Sequence, residues 1–294
     1  MIVRYLIRQT SSYAYEGSVP FARHLLRMLP ADRRLQKVIR SELSISPEPS
    51  ELVSETDFFG NKVAHVVVRE PHHVLVVEQT SEVELIDREP TVPSTTPSVA
   101  TIRAMATSSA RIDGKGPAHH LYPSRIVRLV FAATDYAATS CPDDRPILEA
   151  AIDLARRIHD DFAYDPIATD VSTPIEEVLE NRRGVCQDFA HVMIAGLRGL
   201  GLPAAYVSGY LRTEPPIGEA RLVGADAMHA WVAVWCGEGV GWRGVDPTNA
   251  IVTLRDHVEV AFGRDYADVS PLDGIILSSG RQSLSVAVDV APLE

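Results

Sequence analysis

The sequence has few cysteines, no long apolar run and no signal peptide, and each of these shortages excludes a class of protein. Its 294 residues include only three cysteines, an odd and sparse set that cannot form a disulfide framework. Nowhere do about 18 apolar residues run together, so no membrane-spanning helix is expected. The chain starts with alternating apolar and polar residues and lacks the apolar core of a signal peptide. We therefore expect a cytoplasmic protein, whose thiols stay reduced.

The chain also has no excess of positive charge, since its net charge is −11. An acidic protein repels the phosphates of nucleic acids, so a nucleic-acid partner is not expected. Its hydrophobic content of 46% and charged content of 23% are those of an ordinary globular protein. The sequence does not indicate an oligomeric state.

The pattern of apolar residues divides the chain into two units. Residues 1–100 contain short strand-like runs separated by proline and glycine turns, which is typical of a β-sandwich. Residues 101–118 continue a stretch rich in proline, serine and threonine, and we interpret them as a linker. Residues 119–294 combine helix-like and strand-like patterns and end in a predicted C-terminal strand. The expected fold class is therefore α+β, with an N-terminal β-sandwich-like domain.

Cys186 lies where the sequence predicts the start of a helix. Apolar residues recur with a helical period from Phe189 to Leu200, and glycine and proline at 201–203 end the pattern. The first turn of a helix has unpaired backbone N–H groups and the positive end of the helix dipole, which both favour an anion. A thiol there loses its proton more readily, and the thiolate is a nucleophile. Cys186 is therefore the candidate nucleophile, and the other two cysteines are expected to be structural.

A predicted β-hairpin supplies the groups that assist such a nucleophile. The strand-like segments 228–236 and 241–247 flank a Gly-Glu pair that suits a two-residue turn. With that turn, His229 lies directly opposite Asp246 on one face of the hairpin. A carboxylate beside an imidazole fixes its tautomer and stabilises its protonated form, as in a nucleophile–base–acid triad. A connection one residue longer would turn Asp246 to the other face.

Three sequence blocks surround these candidates. They are GVCQDFAH at 184–191, DAMHAWV at 226–232, and GW at 241–242 followed by DPTN at 246–249. Together they resemble the transglutaminase-like superfamily and, more narrowly, its bacterial branch of predicted cysteine proteases. The resemblance implies a papain-like core with Cys186 as nucleophile, His229 as base and Asp246 as orienting acid. It extends to residues 5–29 and 57–61, which resemble the bacterial transglutaminase-like N-terminal region.

Three further residues are candidates for substrate binding. Trp231 and Trp242 are predicted to line a pocket for the acyl group, although aromatic residues in strands more often belong to the core. Asp188 lies in the first turn of the predicted helix, where a carboxylate also serves as a cap. The loop 213–219 is expected at the rim of the cleft. The sequence lacks the close ligand pairs of a zinc site and the acidic loop of a calcium site, so we expect neither metal nor cofactor.

These residues predict acyl transfer from a peptide or protein amide through a thioester at Cys186. Water as acceptor makes the protein a peptidase or amidase, whereas a lysine amine makes it a transglutaminase. We favour hydrolysis because water is abundant and the sequence gives no sign of a tunnel that excludes it. The alternative from another class is a non-catalytic binding module that has kept the fold.

Overall fold

The computed structural model describes residues 2–86, 96–212 and 227–293. All of the predicted cleft loop, 213–219, and the proline-rich stretch at 87–95 lie outside these residues. The strands of the described chain are β1 (Ile2–Val19), β2 (Phe21–Leu26), β3 (Gln36–Ser46), β4 (Glu51–Thr56), β5 (Lys62–Val68), β6 (His72–Ile86), β7 (Ala163–Tyr164), β8 (Arg183–Gly184), β9 (Ala204–Leu211), β10 (Ala227–Trp235), β11 (Trp242–Asp246), β12 (Ile251–Val252), β13 (His257–Gly263), β14 (Leu272–Leu277) and β15 (Gln282–Leu293). The α-helices are α1 (Val99–Ser108), α2 (Phe131–Ala138), α3 (Ile147–Asp161), α4 (Ile175–Asn181), α5 (Cys186–Gly199) and α6 (Tyr266–Val269).

Two antiparallel sheets form the β-rich unit. Their strand orders are β15-β1-β6-β3 and β14-β2-β5-β4. Apolar residues from both sheets, including Val19, Leu26, Val66 and Leu75, share one buried cluster. The two sheets therefore pack face to face, because alternating residues give each sheet one apolar side.

The C-terminal strands belong to this β-rich unit, which corrects their predicted place in the second unit, 119–294. β15 pairs antiparallel with β1 from Arg4↔Leu293 to Tyr15↔Gln282, and β14 pairs with β2. Alternation along a strand shows that one of its faces is buried, but it does not show which sheet the strand joins. Both ends of the chain therefore lie in the same sheet.

The predicted linker, 101–118, also differs from the expectation. Most of α1 lies in it, and Val99, Ile102 and Ala106 of that helix are fully buried. Ser98 Oγ accepts a hydrogen bond from Thr101 N and caps the helix. Small residues gave this segment the composition of a linker, although its apolar residues have helical spacing.

The second unit is built on a five-stranded antiparallel sheet of order β12-β11-β10-β9-β13. Helix α5 packs on β9 and β10, and it also contacts α2, α3 and α4. This arrangement of helices on mostly antiparallel sheets confirms the predicted α+β class. No helix in the part of the chain that the structure describes is long and apolar enough to cross a membrane.

Arg198 anchors the C-terminal part of α5. Its side chain is 2% exposed and donates hydrogen bonds to the carbonyl oxygens of His120, Ala204 and Arg264, among others. Burial lowers the pKa of Arg198 to about 10, so the guanidinium is still charged at neutral pH. The hydrogen bonds compensate for the loss of hydration and hold the helix against the neighbouring loops.

Candidate active site

Cys186 is the first residue of α5, as the sequence predicts. Helix α4 ends at Asn181, and its C-cap residue, Arg182, adopts the left-handed conformation (φ 51°). The short strand β8 then pairs in parallel with β7, and Val185 enters the next helix in an extended conformation (φ −113°). The turn and the strand pair together fix the direction in which the chain reaches Cys186.

The three cysteines have different surroundings. Cys186 is partly buried, whereas Cys141 and Cys236 are buried. Burial raises the pKa of both Cys141 and Cys236 to about 12. These two thiols are therefore protonated and poorly reactive at neutral pH. Cys186 alone among the three is open to a substrate.

Asp188 caps the helix that begins at Cys186. Its Oδ2 atom accepts hydrogen bonds from Val185 N at 2.8 Å and from Thr169 Oγ1 at 2.6 Å. Gly184 makes this cap possible, since a Cβ atom there would lie 2.6 Å from the same oxygen. The carboxylate is buried, and burial raises its pKa despite the hydrogen bonds from Thr169 and Val185. The sequence analysis named this capping role as the alternative to substrate binding. Contact of Asp188 with a substrate stays a prediction.

His229 has a side-chain hydrogen bond with Asp246, and Cys186 lies close enough to the imidazole to raise its pKa. Its Nε2 atom is 2.7 Å from Asp246 Oδ2. Burial disfavours the imidazolium, but the interactions with Asp246 and Cys186 outweigh burial and raise the pKa of His229 to about 10. Burial also disfavours the ionised Asp246, but its hydrogen bonds with His229 and His257 hold its pKa well below the usual range. The site therefore favours a protonated imidazole beside a charged carboxylate.

The hairpin that carries His229 and Asp246 has a different register from the predicted one. Trp235 pairs with Trp242, so the connection contains six residues, 236–241, instead of two. It includes a turn closed by the hydrogen bond from Gly241 N to Gly237 O. The predicted direct opposition of His229 and Asp246 is therefore wrong. Because the register moves by an even number of residues, both side chains still lie on one face and meet diagonally.

His257 is a second histidine on Asp246, and the sequence analysis missed it. Its Nε2 atom is 3.2 Å from Asp246 Oδ2, which also accepts a hydrogen bond from Asn249 Nδ2 at 2.7 Å. His257 belongs to β13, and two strands separate it from β11. In a flat sheet that separation is about 14 Å, so the sheet must curl to bring the side chains together. No local sequence signal marks such a long-range contact.

His229, Asp246 and His257 also form a set of potential metal ligands, because their ligand atoms lie within 4.8 Å of one another. The sequence analysis considered only close ligand pairs and did not find this set. Hydrogen bonds between the two imidazoles and the carboxylate account for the arrangement without an ion. The expectation that the protein needs no cofactor stays a prediction.

Trp231 and Trp242 line a cavity of about 860 Å³, and Cys186 is not among the described residues around it. Trp231 packs edge-on against His257, with ring centroids 5.2 Å apart. Two tyrosines, Tyr164 and Tyr206, are close enough for burial and the charge of Cys186 to raise the pKa of each. The two tyrosines thus lie near the thiol, and the Trp231 ring lies beside His229, with ring centroids 6.2 Å apart. A substrate role for the tryptophans stays a prediction.

With this fold and this arrangement of residues, the chain belongs to the transglutaminase-like superfamily. The sequence profile of the "Transglutaminase-like superfamily" matches residues 134–247. The profile of the "Bacterial transglutaminase-like N-terminal region" matches residues 5–84. The first match includes all three residues predicted to form the triad.

Two relatives match nearly the whole chain. An uncharacterized protein of Mycobacterium tuberculosis is 37% identical over 295 residues, which cover 99% of this chain and 93% of that protein. An uncharacterized protein of Mycobacterium leprae is 30% identical over 290 residues, with 99% of each chain covered. A protein-glutamine gamma-glutamyltransferase of Pseudomonas aeruginosa is 38% identical over 105 residues, or 35% of this chain and 16% of that protein.

A solved structure shares the fold. It is that of a predicted cysteine protease from Cytophaga hutchinsonii, with a TM-score of 0.76 and 20% sequence identity. The match covers 100% of this chain and 92% of the other. At this identity the likeness concerns the fold alone.

Proposed function

We propose that the protein is a cysteine-dependent acyl-transfer enzyme that cleaves amide bonds of peptides or proteins, with water as the usual acceptor. Cys186 is the nucleophile, His229 the general base and Asp246 the group that orients the imidazole. The observation that supports this assignment is the position of His229, which is hydrogen-bonded to Asp246 and close enough to Cys186 for the two groups to interact. Nε2 faces the carboxylate, so Nδ1 is the nitrogen left for the thiol.

In the first half-reaction the Cys186 sulfur attacks the carbonyl carbon of the amide. His229, which holds the thiol proton as an imidazolium in the resting site, gives that proton to the leaving amine as the carbon–nitrogen bond breaks and a thioester forms. In the second half-reaction the neutral His229 takes a proton from water, and the hydroxide displaces the sulfur. The products are a carboxylic acid and the Cys186 thiolate beside the protonated His229, which restores the resting pair. Asp246 stays ionised and stabilises the protonated imidazole at both stages.

The start of α5 supplies one donor for the oxyanion. The backbone N–H of Cys186 belongs to the first turn, where N–H groups have no partner within the helix. This N–H points out of the N-terminal end of α5, where the positive end of the helix dipole stabilises negative charge. Such a donor stabilises the tetrahedral intermediate when the carbonyl oxygen becomes charged.

A second candidate function is transfer to an amine, which makes the protein a transglutaminase. Similarity to the protein-glutamine gamma-glutamyltransferase of Pseudomonas aeruginosa over 105 residues favours it. Both reactions share the thioester, so the triad does not separate them. A non-catalytic binding module stays the alternative of another class. We also propose a cytoplasmic location, since a reducing compartment protects a reactive thiol.

Selective alkylation tests whether Cys186 is activated. The native protein, Cys186→Ser and His229→Ala are exposed briefly to limiting iodoacetamide at about pH 6, where an ordinary thiol of pKa about 8.5 is nearly all protonated. We expect one adduct by intact mass, absent in Cys186→Ser and slower to form in His229→Ala. Cys141 and Cys236 serve as internal controls, because they are buried. Slow labelling, or labelling of either control cysteine, would favour the binding module.

A glutamine-containing peptide then identifies the acceptor. Formation of free acid, from the glutamine side chain or from a cleaved peptide bond, indicates hydrolysis, whereas incorporation of a labelled primary amine indicates transglutamination. We expect free acid whose formation is lost in Cys186→Ser and hardly changed by the amine. Product that contains the amine at the expense of free acid would instead support the transferase.

A further inference from the structure

The cavity of about 860 Å³ lies between the two units of the protein. Its walls come from the sheet of the second unit, from residues 32–36 and 58–60 of the β-rich unit, and from residues 111–115. His257 is in the wall, whereas the described lining does not include His229 or Asp246. Small-molecule sites typically have volumes of about 300–1,000 Å³, and this cavity lies near the upper end of that range. The cavity is therefore large enough for a ligand, and its wall meets the candidate active site through His257, which contacts Asp246, whereas Cys186 is not part of the described lining.

The charge of the cavity wall is opposite to that of the whole protein. The chain has a net charge of −11. The cavity is lined by six basic and three acidic side chains, namely Arg33, Arg34, Arg111, Lys115, Arg243 and Arg255, and Asp32, Asp113 and Glu259. A concave site with an excess of one charge attracts ligands of the other charge. This cavity therefore attracts an anion although the protein is acidic.

Lys115 is a partly buried cation, and it shares one carboxylate with a second cation. Its Nζ atom lies 3.3 Å from the centroid of the Phe262 ring and 3.7 Å from Glu259 Oε1. Arg33 also pairs with Glu259, so one carboxylate serves two cations. Burial lowers the pKa of Lys115 to about 8, with Glu259 acting to raise it and Arg33 to lower it. The side chain of Lys115 is still 27% exposed and lines the cavity, so a ligand can reach it.

Aromatic rings form much of the remaining wall. Phe59, Trp231, Trp242 and Phe262 all line the cavity. Trp242 is held in place by the hydrogen bond from its Nε1 to Lys115 O, at 2.9 Å. Rings held beside a cation favour a ligand that joins an apolar body to a negative group.

We infer that this cavity binds an organic carboxylate with an apolar body. The carboxylate pairs with Lys115, and the apolar body packs against Trp231 and Trp242. Binding of this ligand requires no covalent step and no activity of Cys186, so it can be tested in the Cys186→Ser protein.

Matched probes test the inference. The acid 3-phenylpropionate and its neutral amide, 3-phenylpropionamide, have nearly the same shape and differ in charge. Binding is followed by tryptophan fluorescence, since Trp231 and Trp242 line the cavity, in the native protein and in Cys186→Ser. We expect the acid to bind at least tenfold more tightly than the amide in both proteins, because a charge-assisted contact contributes about 1.5–3 kcal/mol. Equal affinities, or no binding of the acid, would overturn the inference whatever the activity of Cys186.

Two variants locate the carboxylate. Lys115→Gln should weaken binding of the acid about tenfold and leave binding of the amide unchanged. Lys62→Gln, which removes an exposed lysine outside this cavity, should change neither. If Lys115→Gln fails to fold, Arg34→Gln at the exposed rim replaces it, with a loss of several-fold expected. Unchanged affinity in the folded variant places the acid elsewhere and contradicts the inference.

Discussion

The two ends of α5 are built for opposite purposes. At its start, the Cys186 thiol is partly exposed and lies close to His229. Near its end, Arg198 is 2% exposed and donates to carbonyl oxygens of several loops. One helix therefore carries both the proposed nucleophile, which needs access, and an anchor that needs burial.

The Cys186 thiol can be held in a defined position without being enclosed by other side chains. The thiol has a short side chain, so its position follows from the backbone of the first helical turn. Asp188 and Gly184 shape that turn, and Arg198 fixes the other end of the helix. Substitutions at the start should therefore affect chemistry more than stability, and substitutions at the end should do the reverse.

Asp246→Asn should have the largest effect, and it should act on chemistry. The amide keeps the shape of the carboxylate but does not stabilise a protonated His229, so amide cleavage at neutral pH should fall by about 10⁴-fold, as in serine triads. Peptide hydrolysis and iodoacetamide labelling of Cys186 measure the effect. Near-normal rates in a folded variant would remove Asp246 from the mechanism.

Arg198→Met should have the next largest effect, and it should act on stability. Removal of the guanidinium leaves the buried carbonyl oxygens of His120, Ala204 and Arg264 without donors, which should cost about 3–5 kcal/mol in the free energy of unfolding. Urea denaturation measures it. Arg156→Met, at an exposed position of α3, is the matched control and should stay within about 0.5 kcal/mol. Similar losses in both variants would contradict the anchoring role.

His257 contacts the carboxylate of Asp246 from a third strand, and its substitution separates positioning of that carboxylate from packing. His257→Gln can still donate to Asp246, whereas His257→Phe cannot, so the phenylalanine variant should lose about tenfold in kcat and the glutamine variant less. The KM for the peptide should hardly change, because His257 acts through Asp246. Equal losses in both variants, or a loss confined to KM, would indicate packing instead of a positioning role.

The sequence predicted the parts of the site that depend on local pattern. Helical spacing after Cys186 placed the thiol at the first turn, and alternation along the hairpin kept Asp246 on the face of His229. The predicted register of the hairpin was wrong because the glycines at 237 and 241 fit a six-residue connection as well as the expected two-residue turn. His257 and the pairing of β15 with β1 depend on strands far apart in sequence, and local pattern does not specify them.

The pH dependence of stability should show the smallest effect and should separate the two ends of α5. The folded pKa of His229, about 10, lies above its ordinary value of 6.5. Its contribution to stability is therefore fully present below about pH 6.5 and is lost as the pH rises through 10. We expect the Tm of the native protein to fall between pH 7 and 10 by a few degrees more than that of His229→Gln. The slope of Arg156→Met should match the native one, since that substitution leaves the site intact. If His229→Gln loses stability just as steeply over this range, the raised pKa of His229 is wrong, and the protonated imidazole is not the resting state of the site.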